Sequence, residues 1–288
     1  MMISAQPLAY STPVPAGKTD IEDVPGTQLI RRIANLMRML TLRNRTGARL
    51  VDLCEDSGLG KSTVHRILQG LIAEGLVTQD HGNKRYFLGK SIYEMGLAAA
   101  PRQQLRDLCH PLLQTIAMQA GDTAYLNERA GFDGVCLDRQ DGSYPIKAFV
   151  LEPGHRRPLQ VGCGNLSMLA ALPEDQIRRI CTVNRERTQI HYPQLTDAEI
   201  MCRIQRTQRD GYALIDAMKT AGVRSVGMCI RDETRMPVGA ISVAALSTRL
   251  QGRHLDNVIE FIAEVVREAE LRIRRVWLKP SRIGALER

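Results

Sequence analysis

Lys61, Ser62, Thr63, His65, Arg66 and Gln69 gather two cations, two hydroxyls, an imidazole and an amide within nine residues. Such groups meet a phosphate backbone and the edges of bases: arginine takes guanine bidentately, hydroxyls serve as either partner, and lysine meets phosphate. On a helix they share one side, because Val64, Ile67, Leu68, Leu71 and Ile72 fall at i, i+3, i+4, i+7 and i+8 and claim the other. Ahead of it, Leu50, Leu53 and Cys54 mark the inner face of a shorter helix ending at Ser57, with Gly58 placed to stop it. Helix, glycine turn and second helix form the helix-turn-helix pattern, whose second helix enters the major groove N-terminus first. This stretch is expected to read DNA. The competing role for Ser62 and Thr63 is to satisfy the free N–H groups of the helix's first turn.

Other chemistry is harder to find. Gly60-Lys61-Ser62-Thr63 matches the end of a phosphate-binding loop, but the glycine required five positions earlier is Glu55. The approach, residues 52–56, is polar and helical in period rather than a hydrophobic strand, and its carboxylates repel a triphosphate. Six histidines (65, 81, 110, 155, 191, 254) show no metal-ligand spacing. No Gly-x-Ser-x-Gly elbow and no Gly-x-Gly-x-x-Gly after a strand occurs. Gly162-Cys163-Gly164 invites a thiol-nucleophile reading, yet no histidine partner is identifiable for it. Neither catalysis nor a cofactor is expected.

Seven cysteines (54, 109, 136, 163, 181, 202, 229) are an odd number, dispersed and without a Cys-x-x-Cys pair, which fits reduced thiols rather than disulfides or structural zinc. The longest apolar runs, 168–172 and 238–246, are too short to span a bilayer, and no signal segment is visible, so a cytoplasmic protein away from membranes is expected. The net charge is +8, and residues 26–90 hold most of the excess, with eleven Lys or Arg against five Asp or Glu. That is the footprint of a polyanion-binding domain.

The elements that position these residues follow in order. Residues 1–25 are rich in Pro, Ser, Thr and Ala without period and are expected to be a disordered tail. Thr27 can cap a helix over 28–43 with Leu29, Ile33, Leu36, Met37 and Leu40 inward and Arg31, Arg32 and Arg38 outward. After the helix-turn-helix, Gly75 is placed as a C-cap, and two short strands flank Asp80-His81-Gly82-Asn83. That hairpin is a wing, with Lys84 and Arg85 where a wing touches the DNA backbone. A linker helix is expected over 90–104. A longer helix over 105–120, with Pro111 as a possible kink, opens a second domain. There the pattern predicts strands at 123–129, 134–140, 146–151, 211–216, 226–232 and 238–246, and helices from 166, at 173–181, at 197–209 and at 254–277. Residues 153–158 are expected as a loop and 182–193 as irregular. Helices flanking hairpin-joined strands imply an α+β domain with one sheet, 105–277, before a tail at 278–288.

Several segments together resemble the IclR family, the isocitrate lyase regulators, over nearly the whole chain. They are Lys61-Ser62-Thr63-Val64-His65-Arg66-Ile67-Leu68, Glu74-Gly75-Leu76-Val77 and Tyr86-Phe87-Leu88-Gly89, then Gly154 with Arg157-Pro158-Leu159, Arg209-Asp210-Gly211-Tyr212, Gly222-Val223-Arg224-Ser225-Val226 and Ala240-Ile241-Ser242-Val243. The resemblance implies an N-terminal winged helix-turn-helix (26–89) and a C-terminal GAF-like α+β effector-binding domain. It implies a homodimer or homotetramer on a palindromic double-stranded operator, repressing or activating a catabolic operon in response to a small organic or aromatic acid. It places Cys163, Gly164, Asp216, Cys229 and Ser242 at ligand-contacting positions, the first two presenting backbone amides to a carboxylate. Such amides at a loop-to-helix junction suit that task.

This chain departs from the family pattern at Gln160-Val161-Gly162-Cys163-Gly164-Asn165-Leu166, at Ala217 and Met218 in place of an acidic pair, and at Ala244 in place of a serine. A less polar pocket and a larger or aromatic acid are the expectation from these changes. Cys163 and Cys229 have core packing as their competing role. Two other classes stay open: a DNA-binding protein without an effector, and an enzyme using the Cys163 thiol.

Overall fold

The structure, a computed structural model, describes residues 26–99, 104–217 and 221–277. The expected tails at 1–25 and 278–288, residues 100–103 of the expected linker helix, and Met218 lie outside the described residues. The chain divides into two compact units between residues 103 and 104.

The first unit runs α1 (Gln28–Arg43), α2 (Leu50–Ser57), α3 (Lys61–Ala73), β1 (Val77–Gln79), β2 (Tyr86–Leu88) and α4 (Lys90–Ala99). Its core joins Leu36 and Leu40 of α1, Leu53 of α2, and Val64, Ile67, Leu68 and Leu71 of α3. The stripe expected on α1 needs one correction. Leu29 is 56% exposed and Met39 is buried instead, because α1 packs inward only through its C-terminal half. Thr27 sits at the N-cap position but makes no side-chain cap bond.

Two glycines end helices as expected. Gly58 takes the left-handed conformation after α2, φ 65°. Gly75, φ 68°, completes a Schellman closure of α3, its N–H on Ile72 O and that of Leu76 on Leu71 O. The β1–β2 hairpin is joined by a bridge from Ala48 to Tyr86, which anchors the α1–α2 loop beside the wing. No residue of α4 is buried.

The second unit runs α5 (Gln104–Ala120), β3 (Thr123–Ala130), β4 (Asp133–Gln140), β5 (Arg156–Pro158), α6 (Cys163–Ala170), α7 (Glu174–His191), α8 (Asp197–Asp210), β6 (Ala213–Asp216), β7 (Val223–Arg231), β8 (Pro237–Leu246) and α9 (Gly252–Trp277). Its six strands form one antiparallel sheet in the order β5-β4-β3-β8-β7-β6. The two-residue alternation of strands decides both faces. Ala124, Leu126, Val226, Ile230, Ile241 and Val243 pack with α5 and α9 in the main core. Tyr125, Asn127, Ser225, Gly227 and Ser242 face the opposite side, where α6 lies on β7 and β8.

Four expectations are overturned here. Residues 146–151 form no strand; their backbone is held by side chains, with Tyr125 Oη donating to Ala148 O at 2.7 Å and accepting from Val150 N at 3.1 Å. The edge of β4 is taken by β5, in the segment expected to be a loop. Residues 182–191 are not irregular but continue α7, whose buried stripe passes from Ile177 and Ile180 to the polar Asn184, Arg187 and Thr188. A stripe that turns polar is invisible to an apolar-period reading. Pro111 lies inside an unbroken α5. The remaining strands match to within a few residues; β6 starts at Ala213 because Gly211, φ 79°, is still the C-cap of α8.

Candidate functional site

Each unit brings together one group of the residues singled out in the sequence. In the first, Lys61, Ser62, His65, Arg66 and Gln69 are exposed on α3 and Thr63 is half-exposed, while the apolar stripe is buried beneath them. The first turn is closed through the backbone of Gly60, whose carbonyl accepts from Thr63 N at 2.9 Å and Val64 N at 3.1 Å. Neither the Ser62 nor the Thr63 hydroxyl makes a hydrogen bond among the described residues, so capping does not occupy them.

Charge is distributed to match. Arg43 is paired with Asp56 at 2.6 Å, and Arg49 forks onto Asp52 at 2.8–3.2 Å, holding that carboxyl below the usual carboxylate range. Lys61, Arg66 and Lys84 carry no ion pair among the described residues. The unneutralised cations thus include the first turns of α3 and the wing tip. At that tip Asp80 Oδ1 accepts from Gly82 N and Asn83 N, and Lys84 adopts φ 59° and is exposed. Arg85 is committed differently, donating from Nη1 to Gly47 O at 2.8 Å to fasten the α1–α2 loop to the wing.

In the second unit, a cavity of about 70 Å³ lies between the start of α6 and the polar face of the sheet. Cys163, Gly164 and Ser242 line it, with Tyr125, Asn127, Arg157, Asn165, Tyr192 and Ser225. Asp216 and Cys229 do not line it. Asp216 faces a neighbouring recess with Glu199, Arg203 and Arg206, and Arg224 donates to it at 2.8 and 3.2 Å, holding its carboxyl below the usual range. Cys229 lies further along β7, its thiol pushed up to about 12 by burial.

Three glycines allow the arrangement. Gly162, φ 90°, turns the chain into α6 in a conformation that residues with a side chain rarely adopt. A Cβ on Gly227 would lie 2.8 Å from Ser242 Cβ and 3.1 Å from Gly164 N, so its absence lets the α6 terminus rest on the sheet. Gly134 likewise leaves room on β4 for Asn165.

The first intrahelical bond of α6 runs from Leu166 N to Gly162 O, leaving the N–H groups of Cys163, Gly164 and Asn165 without an acceptor inside the helix. Asn165 is braced by Asn127 Nδ2 at 2.8 Å and by the carbonyls of Arg157 and Pro158 at 3.3 Å. The loop before α6 is held by Gln160, which accepts from Asn184 Nδ2 at 2.9 Å; Asn184 in turn accepts from Arg187, and Arg187 is paired with the buried Asp133.

Ser242 is 8% exposed and its hydroxyl has no hydrogen-bond partner among the described residues. It lies beside Gly164, 3.5 Å from where a Cβ there would sit. Its hydroxyl opens to the cavity, where a bound acceptor could take its hydrogen bond. The Cys163 thiol donates to Ser225 O at 2.8 Å, and burial pushes it up to about 12, which makes it a poor nucleophile at neutral pH.

Sequence reasoning missed Asn127, Ser225 and Arg157. The first two are polar residues that share one strand face with Tyr125 and Gly227, a placement that strand alternation could have supplied. Arg157 lies in a segment expected to be a loop.

An exposed basic helix-turn-helix with a wing, in a chain that also holds a separate sheet domain with a cavity, defines the class of DNA-binding regulator. The chain belongs to the IclR family of transcriptional regulators: residues 29–81 match the IclR helix-turn-helix domain and residues 97–270 match the bacterial transcriptional regulator IclR C-terminal domain. It is similar to the transcriptional repressor IclR of Escherichia coli, 22% identical over 265 residues that cover 90% of this chain and 95% of that protein. In fold it resembles an IclR transcriptional regulator from Alicyclobacillus acidocaldarius, with TM-score 0.70 and 20% identity, covering 84% of this chain and 97% of that one. It also resembles an IclR homologue from Microbacterium hydrocarbonoxydans solved with 4-hydroxybenzoate, with TM-score 0.65 and 16% identity, covering 85% and 98%. It is therefore a transcriptional regulator with a helix-turn-helix DNA-binding domain and a C-terminal effector domain. No described helix is long and apolar enough to cross a membrane.

Proposed function

We propose that this regulator controls a catabolic operon in response to a small organic acid bound in the cavity between α6 and the sheet. The observation that carries the reading is the buried, unpartnered Ser242 hydroxyl beside the free first-turn amides of α6. Together they are donors without an acceptor, the complement of a carboxylate. Of the five positions implied by resemblance, Cys163, Gly164 and Ser242 are retained as ligand contacts, and Asn127 and Ser225 are added. At about 70 Å³, where one ordered water needs about 10–15 Å³, the cavity favours a compact acid over the larger or aromatic one expected from the family departures.

In this reading a cytoplasmic homo-oligomer presents paired α3 helices to a palindromic operator. Lys61, Ser62, Thr63, His65, Arg66 and Gln69 make the groove contacts, Lys84 meets backbone phosphate, and Arg85 shapes the wing. The working division is 26–89 for the reader, 90–104 for the linker and 105–277 for the sensor. Occupancy of the cavity shifts the populations of operator-competent and incompetent states.

Capture and footprinting of preferred sites from the protein's own genomic DNA test the first half. A palindrome beside an operon is the expected result; random fragments whose affinity collapses in salt would reduce the reader to phosphate binding. A thermal-shift screen of two- to four-carbon and aromatic acids tests the second. Saturating ligand at a hundred times its dissociation constant adds about 2.7 kcal/mol. An acid that raises the melting temperature but leaves operator affinity unchanged would refute the sensor role.

A further inference from the structure

The geometry points to Arg157 as a second anchor in the cavity, which makes the effector a dianion: a compact dicarboxylate with one carboxylate on the α6 amides and the other on the guanidinium. This inference rests on the acid-sensor reading above.

Arg157 is the one charged side chain among the residues lining the cavity, and no Asp or Glu lines it. It is partly buried, and its only hydrogen bond among the described residues is from Nη2 to Val150 O, which leaves most of its five donors unused. Arg187, Arg249 and Arg139 of this unit are neutralised by carboxylates, Asp133, Asp122 at 2.9 Å and Glu152 at 2.7 Å, whereas Arg129, which does not line the cavity, is held by Gln176 and Gly131 O. A shielded guanidinium without a counter-ion is costly, and its planar fork matches a carboxylate bidentately.

The two anchors reach the one cavity from different strands. Arg157 projects from β5, the edge strand paired with β4, whereas the α6 terminus rests over β7 and β8 at Gly227 and Ser242. Apolar walls from Tyr125, Val150 and Ile215 lie among them. Charge gives the same answer as position. The start of α6 contributes about half a positive charge and the guanidinium a full one, so two separate positive groups face the cavity, one for each carboxylate of a dianion.

Calorimetric titration of the full chain with malonate, succinate and glutarate, and with the mono-amide of each, tests this. For at least one length the diacid is expected to bind about tenfold or more tighter than its mono-amide. Arg157→Gln keeps an N–H for Val150 O but loses the charge, and is expected to erase that preference by weakening the diacid about tenfold more than the mono-amide; Arg157→Lys should retain part of it. Equal loss for diacid and mono-amide in Arg157→Gln would mean that the guanidinium only pins residues 146–151, and would overturn the inference. So would a wild-type protein that binds butyrate or benzoate but no diacid, although the acid-sensor reading would then survive. If no acid of either kind binds the wild type, the sensor reading itself fails. The wild-type comparison requires no variant to fold, and a thermal melt of Arg157→Gln that matches the wild type checks that its fold is intact.

Discussion

Two short helices in this chain begin alike and end in opposite environments. α3 starts after Gly60 with Lys-Ser-Thr, and α6 starts after Gly162 with Cys-Gly-Asn. Both leave first-turn N–H groups pointing out of the helix, and both carry the weak positive charge of a helix start. On α3 the surrounding side chains are exposed and cationic. On α6 every residue is buried, and the one charged residue that shares its cavity is Arg157. On the proposed function, the same backbone chemistry is offered to a long polyanion in one place and to a small anion in the other. Burial, not the helix terminus, selects the size of the ligand.

The comparison breaks most visibly at its supports. Gly227→Ala forces a Cβ to 2.8 Å from Ser242 Cβ and 3.1 Å from Gly164 N, so α6 must shift off the sheet. A loss of about 1–3 kcal/mol is expected in denaturant melts of the second unit, together with loss of acid binding. Retained acid affinity would show that the α6 amides are not the cradle.

Arg66→Ala removes the strongest candidate base contact from an exposed, unpaired position. Operator affinity should fall about ten- to a hundredfold by fluorescence anisotropy, with the melting temperature unchanged. Full operator affinity would displace recognition from α3.

Ser242→Ala sharpens the contrast, because the hydroxyl contributes no bond within the protein. Stability should hold or rise slightly while acid affinity drops about five- to tenfold. A clear loss of stability would mean that the hydroxyl has a structural partner. The smallest effect is expected at the wing. Lys84→Gly relieves a left-handed non-glycine residue, φ 59°, and should stabilise the first unit by about 0.5–1 kcal/mol. It should also lower the salt slope of operator binding by about one phosphate contact. An unchanged slope would remove Lys84 from the interface.

The amino-acid sequence by itself determined the reader. Its contacts are local: one helix face from Lys61 to Gln69, its buried stripe, its glycine stops at Gly58 and Gly75, and the turn at Asp80 all follow from periodicity and backbone preference over a few residues. The sheet order, the continuation of α7 through Asn184 and Arg187, and the unbroken α5 at Pro111 were not legible. Each depends on a partner distant in the chain or on neighbours that compensate a locally unfavourable residue. The cavity is the extreme case. Asn127, Arg157, Gly164, Ser225 and Ser242 come from five separate elements and meet only when the sheet closes in its order and Gly227 lets α6 settle onto it. Whether a polar side chain there is bonded or left waiting for a ligand depends on what surrounds it in three dimensions, and only the tertiary structure decided that.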